Sequence, residues 1–88
     1  MFRVGWLESA LNQLSTIWLN ADSRQRVSIT DATGQIDVQL RSDAANAGES
    51  RSGDRRILFV WPLGVIYRVD CDRQMVTVLR IWTLPRRK

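Results

Sequence analysis

The chain has 88 residues and a mass of 10.1 kDa, which suffices for one domain, residues 1–88, around one hydrophobic core. With 44% hydrophobic residues and four tryptophans, its composition excludes an intrinsically disordered protein. Its net charge is +4. A single cysteine excludes an internal disulfide. Because the chain also has no histidine, we expect neither a metal nor any other cofactor.

The first half of the sequence predicts one strand and two helices. Residues 1–6 alternate between apolar and other side chains, which predicts a short strand with one buried face. In residues 7–18 the apolar side chains recur at spacings of three and four, as they do along one side of a helix. Asp22, followed three residues later by Gln25, predicts the cap of a second helix over residues 23–41. The short link between the helices predicts a helical hairpin.

The second half predicts three strands in a meander. Residues 43–54 show no periodicity and predict a loop. Residues 55–61, 63–70 and 75–82 read as strands, separated by Pro62 and then by a polar turn. Short connections join antiparallel neighbours. The predicted order β-α-α-β-β-β is therefore an α+β fold in which an antiparallel sheet packs on the helical hairpin.

The two halves of the chain differ in charge. Residues 1–50 carry four basic and six acidic side chains, and residues 51–88 carry nine basic and three acidic ones, so the net charges are −2 and +6. Twelve of the thirteen basic residues are arginine, whose fork of donors binds phosphates and carboxylates. A basic half indicates a polyanionic target or an acidic partner, with a solvated arginine-rich surface as an equally weighted alternative.

The sequence gives no sign of export or of membrane insertion. The longest nearly apolar run, residues 57–66, is shorter than the roughly 20 residues that a membrane-spanning helix needs. The N-terminal residues contain no apolar signal core. We therefore expect a cytoplasmic protein without membrane association.

The basic half resembles the sheet of a known protein family. Residues 55–70 read Arg-Arg-Ile-Leu-Phe-Val-Trp-Pro-Leu-Gly-Val-Ile-Tyr-Arg-Val-Asp, which is a basic strand, a turn and a strand ending in Tyr-Arg-Val. Residues 75–82 form a last apolar strand that leads into a basic C-terminus. In length, in order of elements and in these strands, the whole chain resembles the RelE/ParE toxins of type II toxin–antitoxin systems. Tyr-Arg-Val taken alone is better explained as an ordinary amphipathic strand.

This resemblance implies a protein that inhibits growth and is restrained by a cognate acidic antitoxin. RelE-like members of the family enter the ribosomal A site and cleave mRNA without a metal, and this is the function that we expect. Two alternatives stay open: a ParE-like inhibitor of DNA gyrase with no catalysis of its own, and an inactive relative that only binds its antitoxin. The implied partners are thus the antitoxin and either the ribosome with its mRNA or gyrase.

The resemblance to RelE-like enzymes, taken with the chemistry of RNA cleavage, implies a set of candidate catalytic residues. Without a metal, the reaction needs a base for the 2′-OH, cations for the charge that develops on the phosphate, and an acid for the leaving oxygen. Arg55 and Arg86 are the candidate cations, and Glu49 is the candidate base. An ion pair with Arg51 is the simpler role for Glu49.

This catalytic set is incomplete. Ile57 and Gly64 stand at places where the resemblance implies positive charge, and no histidine can act as the base. Tyr67 could donate a proton, but a sheet residue packed against a helix is the more frequent role for such a tyrosine. The missing groups favour a ParE-like binding mode over cleavage.

A further set of side chains is expected to bind nucleic acid or the antitoxin. The set comprises Arg51, Arg56, Arg68, Arg80, Arg87, Trp61 and Trp82. The two tryptophans stand at strand ends, where a partly exposed ring anchors an interface, although core packing is the more frequent role. Trp6 and Trp18 are expected in the core. The antitoxin would pack a helix or strand on the sheet and set acidic residues against the arginines. The aromatic spacing predicts no exposed stacking pair.

Overall fold

The computed structural model describes residues 1–85. The helices in this range are α1 (Glu8–Leu19) and α2 (Ser23–Asp43), and the strands are β1 (Arg3–Trp6), β2 (Glu49–Ser50), β3 (Arg55–Val60), β4 (Leu63–Asp70) and β5 (Met75–Thr83). Every element expected from the sequence is present within two residues of its expected bounds. The α+β class is thus confirmed. No helix of the described range is long and apolar enough to cross a membrane.

The sheet differs in two respects from the expected antiparallel meander. Its order is β1-β5-β4-β3-β2, and β3, β4 and β5 form the expected antiparallel neighbours. However, β1 pairs with β5 in parallel, since no short turn joins these strands and the helices set the direction of β1. The segment predicted as a loop also contains β2, whose two residues pair with β3. Two exposed residues are too few for an alternating pattern to reveal a strand.

The link between the helices is held by two sets of hydrogen bonds. The Asp22 carboxylate accepts the backbone N–H of Gln25 at 2.8 Å, and the Gln25 side chain accepts the backbone N–H of Asp22 at 2.9 Å. This reciprocal box confirms the predicted cap. Arg26 donates from Nε to the carbonyl of Trp18 at 3.0 Å, and its guanidinium lies 5.3 Å from the centre of the Trp18 ring. The expectation of a core position for Trp18 is wrong: the ring is 39% exposed, with Arg26 over it.

One hydrophobic core lies between the helices and one face of the sheet. Its buried helical residues include Ala10, Ile29, Ala32, Ile36 and Leu40, and its buried strand residues include Leu58, Leu63, Val65, Tyr67, Val76, Val78 and Ile81. Trp6 packs against this core and is partly buried, as expected. Because successive side chains of a strand point to opposite faces, the residues between these core positions project from the other face of the sheet.

An extra residue in β5 keeps its apolar side chains in the core. Ile66 pairs with Arg80 and Tyr67 pairs with Val78, so that Leu79 has no partner of its own on β4. Such a bulge shifts the alternation by one residue. As a consequence, Val78 before the bulge and Ile81 after it both lie in the core.

Candidate functional site

The candidate site lies on the sheet face opposite the helices, which we call the open face. The strand register sets its side chains in three rows across the sheet. The rows are Glu49, Ile57, Ile66 and Arg80 in the middle, Arg55 and Arg68 on one side, and Phe59, Gly64 and Trp82 on the other. The open face therefore combines arginines, an apolar centre and two aromatic rings.

Three arginines surround the apolar centre of the open face. Arg55 on β3 and Arg68 on β4 are directly opposite each other. Arg80 on β5 is paired with Ile66 on β4. Arg68 forms an exposed ion pair with Asp54 at 3.6 Å, whereas Arg55 and Arg80 make no ion pair within residues 1–85. Like charges directly opposite each other repel. A phosphate or carboxylate bound between Arg55 and Arg68 would relieve this repulsion and match their donor geometry.

Glu49, the candidate base, shares the open face with Arg55. It lies on the edge strand β2 opposite Ile57, one row away from Arg55. Its carboxylate is 3.4 Å from the Arg51 guanidinium, and its side chain is 70% exposed. This contact confirms the ion pair that was the simpler role for Glu49. The catalytic roles of Glu49 and Arg55 stay predictions.

An aromatic pair crosses the open face. Phe59 and Trp82 lie on either side of Gly64, their ring centres are 6.4 Å apart, and their planes meet at 84°, an edge-to-face arrangement. Phe59 is 49% exposed. Trp82 is partly buried and the rings meet edge to face, so the two are not an exposed stacking pair, in agreement with the expectation. Phe59 is on β3 and Trp82 is on β5, with β4 between them. Their contact depends on the register of three strands and therefore cannot be predicted from the spacing of aromatic residues in the sequence.

Trp82 also explains the glycine at position 64. A Cβ added to Gly64 would lie 2.8 Å from two carbons of the Trp82 ring, closer than real contacts of this kind. The ring thus occupies the place where the resemblance implies an arginine. Trp82 is partly buried there. It is therefore less exposed than an interface anchor would be and less buried than a core residue would be. The three arginines therefore supply the positive charge of the open face. The row that contains Gly64 carries the rings of Phe59 and Trp82 instead of a charge.

Tyr67 lies in the core and not on the open face. Its side chain is fully buried, and its hydroxyl lies 3.0 Å from the carbonyl oxygen of Ala44 and 2.6 Å from that of Ala47. The phenol thereby fastens the segment after α2 to the sheet. Burial raises the pKa of Tyr67, and the neighbouring Arg56 offsets part of that rise. The expected packing role of Tyr67 is confirmed, and its hydroxyl is not positioned to donate a proton on the open face.

We expect Tyr67, the single tyrosine of the chain, to resist ionisation until the protein unfolds. Its pKa in the folded state is raised, whereas an unfolded tyrosine titrates at about pH 10. Below that pH both states hold the proton. Above it the unfolded state loses its proton first, so the free energy of unfolding falls as the pH rises. Tyrosinate absorbance and circular dichroism should change together on titration to high pH. A tyrosinate signal from the still folded protein would contradict this placement.

Arg56 is directed away from the other candidate arginines. It lies opposite Tyr67, on the helix side of the sheet. Its Nε donates to the carbonyl of Ala47 at 2.8 Å, and Nη2 donates to the carbonyl of Gly48 at 3.1 Å. The structure thus gives Arg56 a structural role at the end of the α2–β2 connection and does not bring it to the open face.

The remaining predicted residues are dispersed. Trp61 lies in the turn between β3 and β4 and is 58% exposed, as an interface anchor would be. Arg51 lies beside β2, where it pairs with Glu49. Arg86 and Arg87 lie outside the described residues. Within the described range, no three His, Cys, Asp or Glu side chains are placed to hold a metal ion together.

Known structures contain the same arrangement of strands and helices. No protein-family model and no curated protein matches the sequence. Among solved structures, the chromosomal ParDE toxin–antitoxin system from P. aeruginosa matches with a TM-score of 0.73 and 20% identity, over 97% of this chain and 98% of that one. The chain has the RelE/ParE fold.

Two further structures support the same fold. The isolated RelE toxin from E. coli matches with a TM-score of 0.66 and 18% identity, over 100% of this chain and 89% of that one. The RelBE2 toxin–antitoxin complex from Mycobacterium tuberculosis matches with a TM-score of 0.62 and 15% identity, over 93% and 96% of the two chains. The expected RelE/ParE-like architecture is therefore confirmed over nearly the whole chain.

Proposed function

We propose that this protein is the toxin of a type II toxin–antitoxin module and inhibits growth when its antitoxin is absent. The observation that carries the proposal is the match to a ParDE system over 97% of this chain and 98% of the other, with RelE toxins matching as well. The charge of the open face adds support, since Arg55, Arg68 and Arg80 form a surface that an acidic antitoxin could neutralise.

We further propose that the toxin acts by binding a protein target, as ParE-like inhibitors of DNA gyrase do. Cleavage of RNA without a metal calls for both an acid and a base beside the phosphate. The chain has no histidine, and its single tyrosine is buried against backbone carbonyls. Arginine keeps its proton at any physiological pH. A mode of action that needs only binding agrees with the absence of a histidine and of an accessible tyrosine to act as the acid.

RelE-like cleavage of mRNA is the second candidate, and one observation favours it. Glu49 and Arg55 share the open face with the rings of Phe59 and Trp82, on which a nucleobase could stack. In this mechanism Glu49 would accept the proton of the 2′-OH, and Arg55 would stabilise the charge on the phosphate. The aromatic pair gives RNA a contact surface, but it supplies no acid for the leaving oxygen.

Induced expression without an antitoxin tests the first proposal. We expect growth to stop, and to resume when the small acidic protein expected to be encoded next to this chain is expressed with it. Normal growth in cells that accumulate soluble, folded protein would reject the toxin assignment. The control compares cells that express the toxin alone with cells that express it together with the antitoxin, at matched toxin levels.

Glu49→Gln separates the two modes of action. Removal of a general base slows a reaction by about 10²–10⁴-fold, so a cleaving toxin should lose its effect on growth in this variant. A binding toxin should keep it, with intact messages and a DNA-damage response. Mapping of mRNA ends supplies the second readout: ends within codons, lost in Glu49→Gln, would establish cleavage and overturn the binding mode.

A further inference from the structure

A cavity of about 500 Å³ lies where the helical hairpin meets the end of the sheet. Its lining includes Asn20, Ala21 and Arg24 from the hairpin and Trp61, Pro62 and Leu84 from the sheet side. None of these residues belongs to the open face. The volume is in the range of ligand-binding pockets, which extends from roughly 300 to 1,000 Å³.

The walls of this cavity combine an apolar base with an exposed ring. Ile17 from α1 and Ile29 from α2 contribute aliphatic surface. Trp61 stands at the cavity with 58% of its surface exposed, although burial of an indole ring is strongly favourable. A large exposed aromatic ring beside an apolar hollow is the arrangement that protein interfaces use to hold one side chain of a partner.

Arg24 supplies a positive charge that has no counter-ion in the part of the chain that the structure describes. Among the described residues it forms no ion pair, and its side chain makes no hydrogen bond. The nearest carboxylate in sequence, Asp22, accepts the N–H of Gln25 in the helix cap. The next arginine, Arg26, is held by Trp18. No group within the described range therefore competes with an anion for Arg24 at the cavity.

We propose that this cavity binds a peptide segment in which a large apolar side chain stands next to a carboxylate. The apolar side chain would lie against Trp61 and Ile17, and the carboxylate would accept hydrogen bonds from Arg24. The inference goes beyond the proposed function, because it assigns a second binding surface and does not depend on how, or whether, the protein stops growth.

The charge of the lining favours a peptide over a nucleic acid. A nucleic-acid strand carries one charge for each nucleotide and requires a track of cations. Among residues 1–85, the other polar side chains around this cavity are neutral, namely Thr16, Asn20, Gln25, Ser28 and Thr83. One guanidinium beside an apolar hollow matches one carboxylate beside one apolar group.

N-acetyl-phenylalanine is a minimal probe for this site, and its amide is the matched control that keeps the ring and lacks the charge. In NMR titrations of the full chain, we expect N-acetyl-phenylalanine to shift the Trp61 indole signal and the amide signals of Ala21 and Leu84. The uncharged amide should bind about tenfold more weakly, since a hydrogen-bonded charge is lost. Arg24→Gln should remove this difference, whereas Arg73→Gln, in the turn after β4, should preserve it.

Several outcomes would overturn the assignment. They are equal affinity for the two probes, shifts confined to the open face, and a preference for the carboxylate that survives Arg24→Gln. Tighter binding of adenosine monophosphate would assign the cavity to nucleotides instead, and shifts that grow with protein concentration alone would assign it to a second copy of the chain. Arg24 is exposed, so the variant should fold, and dispersed spectra will verify this. The readout requires no growth assay, so its failure leaves the proposed function untouched.

Discussion

Replacing Gly48 by alanine is expected to lower the free energy of unfolding by about 3 kcal/mol or more, a large share of the stability of a domain of this size. Gly48 has a φ of +64°, in the left-handed region that favours glycine. A Cβ added there would overlap the carbonyl oxygen of Ile57 and lie 2.9 Å from its carbonyl carbon. Ile57 cannot yield, because it is paired with Glu49 on one side and with Ile66 on the other. Denaturant-induced unfolding measures the loss.

Two other glycines provide matched controls. Gly53 has a φ of +67°, but nothing lies within 4 Å of an added Cβ, so Gly53→Ala should cost only the conformational penalty of roughly 1–2 kcal/mol. Gly34 lies inside α2 with open space around it, so Gly34→Ala should raise the stability by roughly 0.5–1 kcal/mol. If Gly48→Ala were no more harmful than Gly53→Ala, the close approach of the chain to β3 would be refuted.

The parts of the fold with local signals could be predicted from the sequence. The bounds of β4 match the prediction, because Pro62 precedes the strand and a polar turn follows it. The start of α2 matches because the Asp22–Gln25 box is a local arrangement of side chains. The parallel pairing of β1 with β5 and the short strand β2 depend on contacts between distant segments, and no local pattern encodes them.

The candidate site was predicted as a set of residues but not as an arrangement. Charge alone selects both Arg55 and Arg56, yet adjacent strand residues face opposite sides of the sheet, and Arg56 is bonded to the carbonyls of Ala47 and Gly48. Similarly, Gly64 was identified only as a missing charge. The Trp82 ring that fills its place comes from another strand, so its contribution depends on register.

Replacing both Arg55 and Arg68 by glutamine is expected to abolish growth arrest. These two arginines are paired on neighbouring strands, and each can make charge-assisted hydrogen bonds to the target. Such bonds contribute about 1.5–3 kcal/mol each, so loss of both should weaken target binding by at least about a hundredfold. Stability should hardly change, because the ion pair that is lost within the described residues, Arg68 with Asp54, is exposed. Colony counts after induction without antitoxin, at matched protein levels, measure the effect.

A double replacement outside the open face distinguishes a specific surface from net charge. Arg41→Gln with Arg73→Gln removes the same formal charge, and each of these arginines is paired with a nearby carboxylate, at 2.8 Å and 3.9 Å respectively. This control should still arrest growth. If it loses activity to the same extent, net charge and not the open face controls toxicity. If the Arg55 and Arg68 variant stays toxic, the target binds elsewhere, because a surface that has lost two facing cations could not hold the same anionic group with unchanged affinity.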